Sequence, residues 1–383
     1  MRSACLTPRH VHARRAGILG RRAAVGEDVA MTERTVDTPN GAYAVIDFGE
    51  AAPSTAAHTS APGVAALDAR APRAPLGQAH ADGVLTSDAS TASAGPGAVT
   101  TAADGADRRP DVVLLHQIAS CAQVWGTLGP ALAEFSRPIA PDLCGHGRTR
   151  AHVESVGHLV SDLPDVFAAL DVHDPVVVLE GEELLPLFGD LAGVLGATAV
   201  VVVGPYTWKR GEEAEADYDE VLGEGSLDEW DARNDMFATG VQAKYEEFVE
   251  RRVARSAADW VNDGVEPEQL RAYIERQLRE APGGWERAPR RPLVEEALHA
   301  IGGGPFGLDL YDRLSVPVWL AVGTRELEHA GVDGFVAWGE TGADRHVSLL
   351  GGHLSPDCFD PGPLADVVRA AIAATRASVD TRP

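Results

Sequence analysis

Asp111-Val112-Val113-Leu114-Leu115-His116, then Trp125, Leu128, Leu132 and Phe135, then Ile139-Ala140-Pro141-Asp142-Leu143-Cys144-Gly145-His146-Gly147 decide how this chain is read. The first piece is a short continuous apolar run, as in a strand covered on both faces. The second recurs at helical spacing between Val124 and Phe135. The third begins as a strand, Pro138 to Pro141, and ends in a glycine-rich turn. Working outward, Ser155 to Leu170 predicts an amphipathic helix, Val176 to Leu179 a strand, Leu184 to Leu195 a helix and Ala199 to Val203 a strand. Val316 to Val322 and His346 to Leu350 predict two more strands, and Leu364 to Ala374 a closing helix. Strands that alternate with helices specify a mostly parallel sheet. Upstream, Thr35 to Asp47 predicts a hairpin with Asn40-Gly41 as its turn signal.

Three segments fall outside this alternation. Residues 1–30 are arginine-rich with few acids, and their apolar stretch is too short for a secretion signal, so they predict a disordered leader or a start that belongs at Met31. Residues 51–109 consist largely of Ala, Ser, Thr, Gly and Pro, a composition that cannot bury enough surface to offset ordering entropy, and predict a disordered insertion. Residues 205–304 are charged and helix-rich, carry Trp208, Trp230, Trp260 and Trp285, and contain no convincing strand. They predict a helical lid over the C-terminal edge of the sheet, where open α/β folds bind ligands. The core is then 31–50 with 110–204, completed by 305–383.

The 383 residues suffice for one large α/β domain with insertions or for two small domains, and a formal net charge of −24 argues against a nucleic-acid partner, whose phosphates it would repel. The four cysteines are scattered, without metal-ligand spacing, and fit a reducing, cytoplasmic setting. No apolar run reaches a membrane span. No cofactor or metal is expected; a small molecule is the expected partner, and the oligomeric state is open.

The order and spacing of the opening pieces resemble the α/β-hydrolase superfamily in its lidded, single-domain form. Leu114-Leu115-His116 looks like the strand that leads into the oxyanion loop, and Pro141-Asp142-Leu143-Cys144-Gly145-His146-Gly147 looks like the family's "PDLxGHG" turn. The resemblance implies a catalytic acid after the next-to-last strand and a histidine after the last. Gly323-Thr324-Arg325-Glu326 would supply the acid, Glu326, with Glu328 as a substitute. His353, closing His346 to His353, would be the general base. His116 and His146 are read as braces for the loops that carry them.

The family's nucleophile occupies a tight turn, G-x-S-x-G, after the third strand of this series. Here that segment is Leu179-Glu180-Gly181-Glu182-Glu183-Leu184-Leu185, with Glu182 at the serine position and Glu180 and Leu184 in place of small flanking residues. Gln117 stands where the oxyanion loop usually has glycine, and Glu183 brings a further negative charge to a site that would need donors. Ser120 and Cys121 are the nearby residues that could replace the nucleophile. Three readings stay open: Glu182 attacks as a carboxylate; Glu182 works with His353 as acid and base in a lyase, isomerase or cyclase; or the site is catalytically dead and the protein binds a ligand or acts as a scaffold.

Overall fold

The computed structural model of the chain describes residues 31–49, 108–188, 190–223, 225–302, 304–325, 327, 329–352 and 355–380. The leader at 1–30, nearly all of the 51–109 insertion, Glu326, Glu328 and His353 lie outside the described residues.

An antiparallel hairpin opens the sheet, β1 (Thr32–Thr38) with β2 (Gly41–Asp47). Thr38 pairs with Gly41, so the two-residue loop is Pro39-Asn40, one position earlier than the Asn-Gly signal suggested. Next come β3 (Asp111–Leu115), helix α1 (Leu128–Ala133), β4 (Arg137–Pro141), α2 (His158–Ser161), α3 (Leu163–Ala169) and β5 (Val176–Glu180). Helices α4 (Leu185–Phe188) and α5 (Leu191–Leu195) lead to β6 (Ala199–Val203). Two expected helices are therefore broken. Pro164 enters at the start of α3, and a proline nitrogen cannot donate to the preceding turn, so the Ser155–Leu170 segment splits at Asp162. Within Leu184–Leu195, Asp190 accepts from the Gly193 amide and starts a new helix.

Between β6 and the next sheet strand lie α6 (Gly211–Leu222), α7 (Ser226–Asn234), β7 (Thr239–Gly240), α8 (Tyr245–Ala257), α9 (Pro267–Gln277), β8 (Leu278–Ala281), β9 (Gly284–Arg287), α10 (Arg291–Ile301) and α11 (Leu308–Tyr311). The insertion is thus not purely helical: β7, β9 and β8 form a small antiparallel sheet. Strand β9 is short and follows a tight turn, so its two inward residues, Trp285 and Arg287, give too brief a pattern to read as a strand. Trp285 packs on Phe248 in a separate apolar cluster with Val249, Ile274 and Leu278. Trp208 and Trp230 pack against the main core, whereas Trp260 is 57% exposed. The chain ends with β10 (Val318–Gly323), α12 (His329–Gly339), β11 (Arg345–Leu350) and α13 (Pro361–Asp380).

The eight-stranded sheet runs β1-β2-β4-β3-β5-β6-β10-β11, parallel from β4 onward. Alternate residues of each central strand feed opposite apolar layers: Val113 and Leu115 face one, Val112 and Leu114 the other. Helix α13 packs with α1 on the second face. The chain reverses direction of strand addition between β3 and β5, and the crevice at such a switch point is where this architecture places ligands.

Candidate functional site

Strand β5 ends at Glu180, in register with Val203 of β6. The Gly181 amide continues the ladder to the Val203 carbonyl at 2.8 Å, and Gly181 takes φ 66°. A Cβ there would also come within 2.7 Å of Glu183 Oε2, so only glycine suits the position. The chain turns through Glu182 and Glu183, and the Leu185 amide donates to the Glu182 carbonyl at 2.9 Å as α4 begins. The left-handed residue is therefore Gly181, one place before Glu182, which has no positive φ. With the left-handed backbone on glycine, large neighbouring residues fit: Leu184 is buried in the core and Glu180 is 3% exposed.

The turn buries three carboxyl groups. Glu182 is fully buried, and its Oε2 accepts from the Tyr206 amide and the Tyr311 hydroxyl, both at 2.8 Å. Glu183 Oε1 accepts from the Tyr206 hydroxyl at 2.6 Å. Glu180 Oε2 accepts from the Gln117 amide at 3.0 Å, across the crevice between β5 and β3. Desolvation dominates all three and pushes them up, Glu180 to about 8, Glu182 to about 7 and Glu183 to about 8, while their hydrogen bonds act in the opposite sense. None of the three forms an ion pair among the described residues. Glu182 Oε1 and Glu183 Oε2 have no hydrogen-bond partner.

The facing loop is held by two neutral histidines. His116 Nε2 accepts from the Leu143 amide at 3.0 Å, which puts the proton on Nδ1, 2.8 Å from the Gln117 carbonyl. His146 repeats the arrangement, taking the Ala119 amide on Nε2 at 3.2 Å with Nδ1 2.9 Å from the Cys144 carbonyl. Burial lowers their pKa values to about 4 and about 3. Both rings brace loops, as the sequence suggested. Asp142 anchors the same region, accepting from the Ala122 and Arg148 amides and pairing with buried Arg276 of α9 at 3.0 Å. Ser120 and Cys121 are buried, and burial raises the Cys121 thiol, so it is no ready nucleophile.

Of the residues singled out from sequence, the structure brings Gln117, Glu180, Glu182 and Glu183 together. The Tyr206 hydroxyl lies 3.4 Å from Gln117 Oε1. Glu326 and His353 are outside the described residues, but the strands that lead to them are adjacent. Beyond their ends the Thr324 amide donates to the Leu350 carbonyl at 3.0 Å and the Arg325 amide to that of Gly352 at 3.3 Å. Ser355 Oγ lies 3.5 Å from Glu180 Oε1. Sequence reasoning missed Tyr206, Tyr218 and Tyr311. Only Tyr206 carried a signal, its place just after β6 on the edge where open α/β folds bind ligands; Tyr218 and Tyr311 arrive from α6 and α11 through tertiary packing alone. A surface cavity of about 590 Å³ lies between the insertion and the core, lined by Asp259, Trp260, Asp263 and Arg325. Among the described residues no group of three or more His, Cys, Asp or Glu could hold a metal ion, and no helix is long and apolar enough to cross a membrane.

No family model matches the sequence, and no curated protein matches it. Solved structures do match in shape. E-2-(acetamidomethylene)succinate hydrolase superposes with a TM-score of 0.55 at 12% identity, over 90% of this chain and 100% of its own. A thioesterase domain from the curacin biosynthetic pathway gives 0.52 at 15% identity, over 89% of this chain and 99% of its own. A hypothetical protein from Pseudomonas aeruginosa PAO1 gives 0.50 at 17%, over 90% and 99%.

Proposed function

We propose that this protein, which has the α/β-hydrolase fold, uses the crevice at β3 and β5 to bind a small organic molecule and does not hydrolyse it by the serine route. The observation that carries this reading is the fate of the groups an acyl-transfer site needs. The serine-equivalent side chain is a buried carboxyl held by two donors. The Gln117 amide, on the oxyanion loop, is spent on Glu180, and the Glu183 carboxyl accepts from the Tyr206 hydroxyl. A developing oxyanion would meet carboxyl groups where it needs free N–H donors. The insertion would then serve as a lid, with Tyr206 and Tyr218 closing over the turn.

A panel of short-chain aryl esters and thioesters tests the reading. The wild-type protein is expected to show no turnover above background, and Glu182→Ser is expected to gain none, because Glu180 still occupies the Gln117 amide and Glu183 still brings a carboxyl group to the turn. Robust wild-type turnover that His353→Ala abolishes would overturn it.

One observation favours a second reading. A carboxyl held at about 7 is suited to donate and accept protons near neutrality. A lyase, isomerase or cyclase that used Glu182 with His353 would lose activity in Glu182→Gln without any ester hydrolysis.

A further inference from the structure

Tyr218 of α6 is 5% exposed, and its hydroxyl has no hydrogen-bond partner. Its ring stacks on Phe306 at 4.0 Å and meets Tyr206 edge-on at 5.8 Å, which fixes it beside the tyrosine whose hydroxyl holds Glu183. Burial and the nearby charges of Glu182 and Glu183 drive its ionisation well above the usual range. Three buried polar atoms stand unsatisfied on side chains that all touch Tyr206: Tyr218 Oη, Glu182 Oε1 and Glu183 Oε2. Leaving such atoms unpaired costs about 1–3 kcal/mol each.

We propose that Glu182 Oε1, Glu183 Oε2 and Tyr218 Oη form a closed subsite for a protonated amine, the ammonium group of the small molecule that the crevice binds. All three atoms can accept, and an ammonium carries three donors and a positive charge that no side chain among the described residues supplies to the two carboxylates. A metal ion fits less well, since no metal-ligand grouping is present among the described residues. An anionic or ester-type ligand would meet uncompensated carboxyl groups. The inference rests on the ligand-binding reading above and narrows its ligand class.

The test is a titration of the full chain with methylammonium chloride, followed by melting temperature and by calorimetry, with tetramethylammonium and sodium chloride at equal ionic strength as controls. Tetramethylammonium has the charge but no N–H donors. A saturable rise in melting temperature with methylammonium alone is expected. Glu183→Gln and Tyr218→Phe are each expected to weaken binding about tenfold, the loss of one hydrogen bond to a charged group. Tyr218→Phe keeps the ring stack, so it serves where Glu183→Gln fails to fold. Equal responses to all three salts, or none, would overturn the proposal and assign the three atoms to buried water only. Ester turnover in the assay above would instead overturn the ligand-binding reading, whatever the titration shows.

Discussion

Glu182 keeps an ordinary backbone conformation because its neighbour takes the left-handed one. Gly181 carries the left-handed backbone, so the turn accepts glutamates on both sides. The cost appears as protonation. Each of the three carboxyls has a folded-state pKa above its unfolded value near 4.5, so the folded protein holds protons that the unfolded chain has released. Their contribution to stability is fully present below about pH 4.5 and is lost progressively as pH rises through about 7 to 8. Melting temperature is expected to fall between about pH 5 and pH 8, and the slope to flatten in Glu180→Gln and Glu183→Gln, which cannot ionise. A melting temperature that climbs over this range would contradict the assignment. Gly147, at φ 47°, is the other glycine with a specific reason: a Cβ there would collide with the Asp142 carboxylate. Gly147→Ala is expected to cost on the order of 2 kcal/mol in urea unfolding.

Helix α9 ties the insertion to the core. Its Arg276 is 3% exposed and pairs with fully buried Asp142, while Glu33 of β1 takes a second guanidinium nitrogen at 3.2 Å. Removing one partner of a buried pair leaves the other charge uncompensated, typically at about 3–5 kcal/mol. Arg276→Ala is expected to fall at the lower end, because two backbone amides still hold Asp142. Urea denaturation measures it. The double change Asp142→Asn with Arg276→Met is expected to recover part of the loss, since it removes both charges. If Arg276→Ala alone left stability unchanged, the pair would not be what docks α9 on the Gly-His-Gly turn.

At the scale of the molecule, the sheet pairings of β1 to β4 and the contacts of Arg108 with Asp111 and Asp171 are all made by described residues on either side of residues 50–107. A chain with those residues replaced by a Gly-Ser linker long enough to span the gap is expected to unfold cooperatively at a melting temperature within a few degrees of the intact protein. Loss of cooperative unfolding would show that the segment takes part in the fold. The same variant tests the scaffold reading, in which it would keep the fold and lose a partner.

The α/β alternation, both core faces and the glutamate-bearing turn after β5 were legible in the sequence because each depends on local pattern. Val112 to Leu115 alternate between two layers, and Glu182 occupies a place fixed by its distance from β5. What sequence could not show was set by residues far apart in the chain. The small sheet of β7 to β9 forms by pairing strands too short to reveal a period. Tyr206, Tyr218 and Tyr311 come from three separate segments; the Tyr206 amide and the Tyr206 and Tyr311 hydroxyls hold the glutamate turn, and Tyr218 packs beside it. The sequence determined that three carboxyl-bearing residues, Glu180, Glu182 and Glu183, stand at the end of β5. Tertiary structure decided what those carboxyls can do, because burial and hydrogen-bond partners, not residue identity, set the protonation state of a carboxyl group.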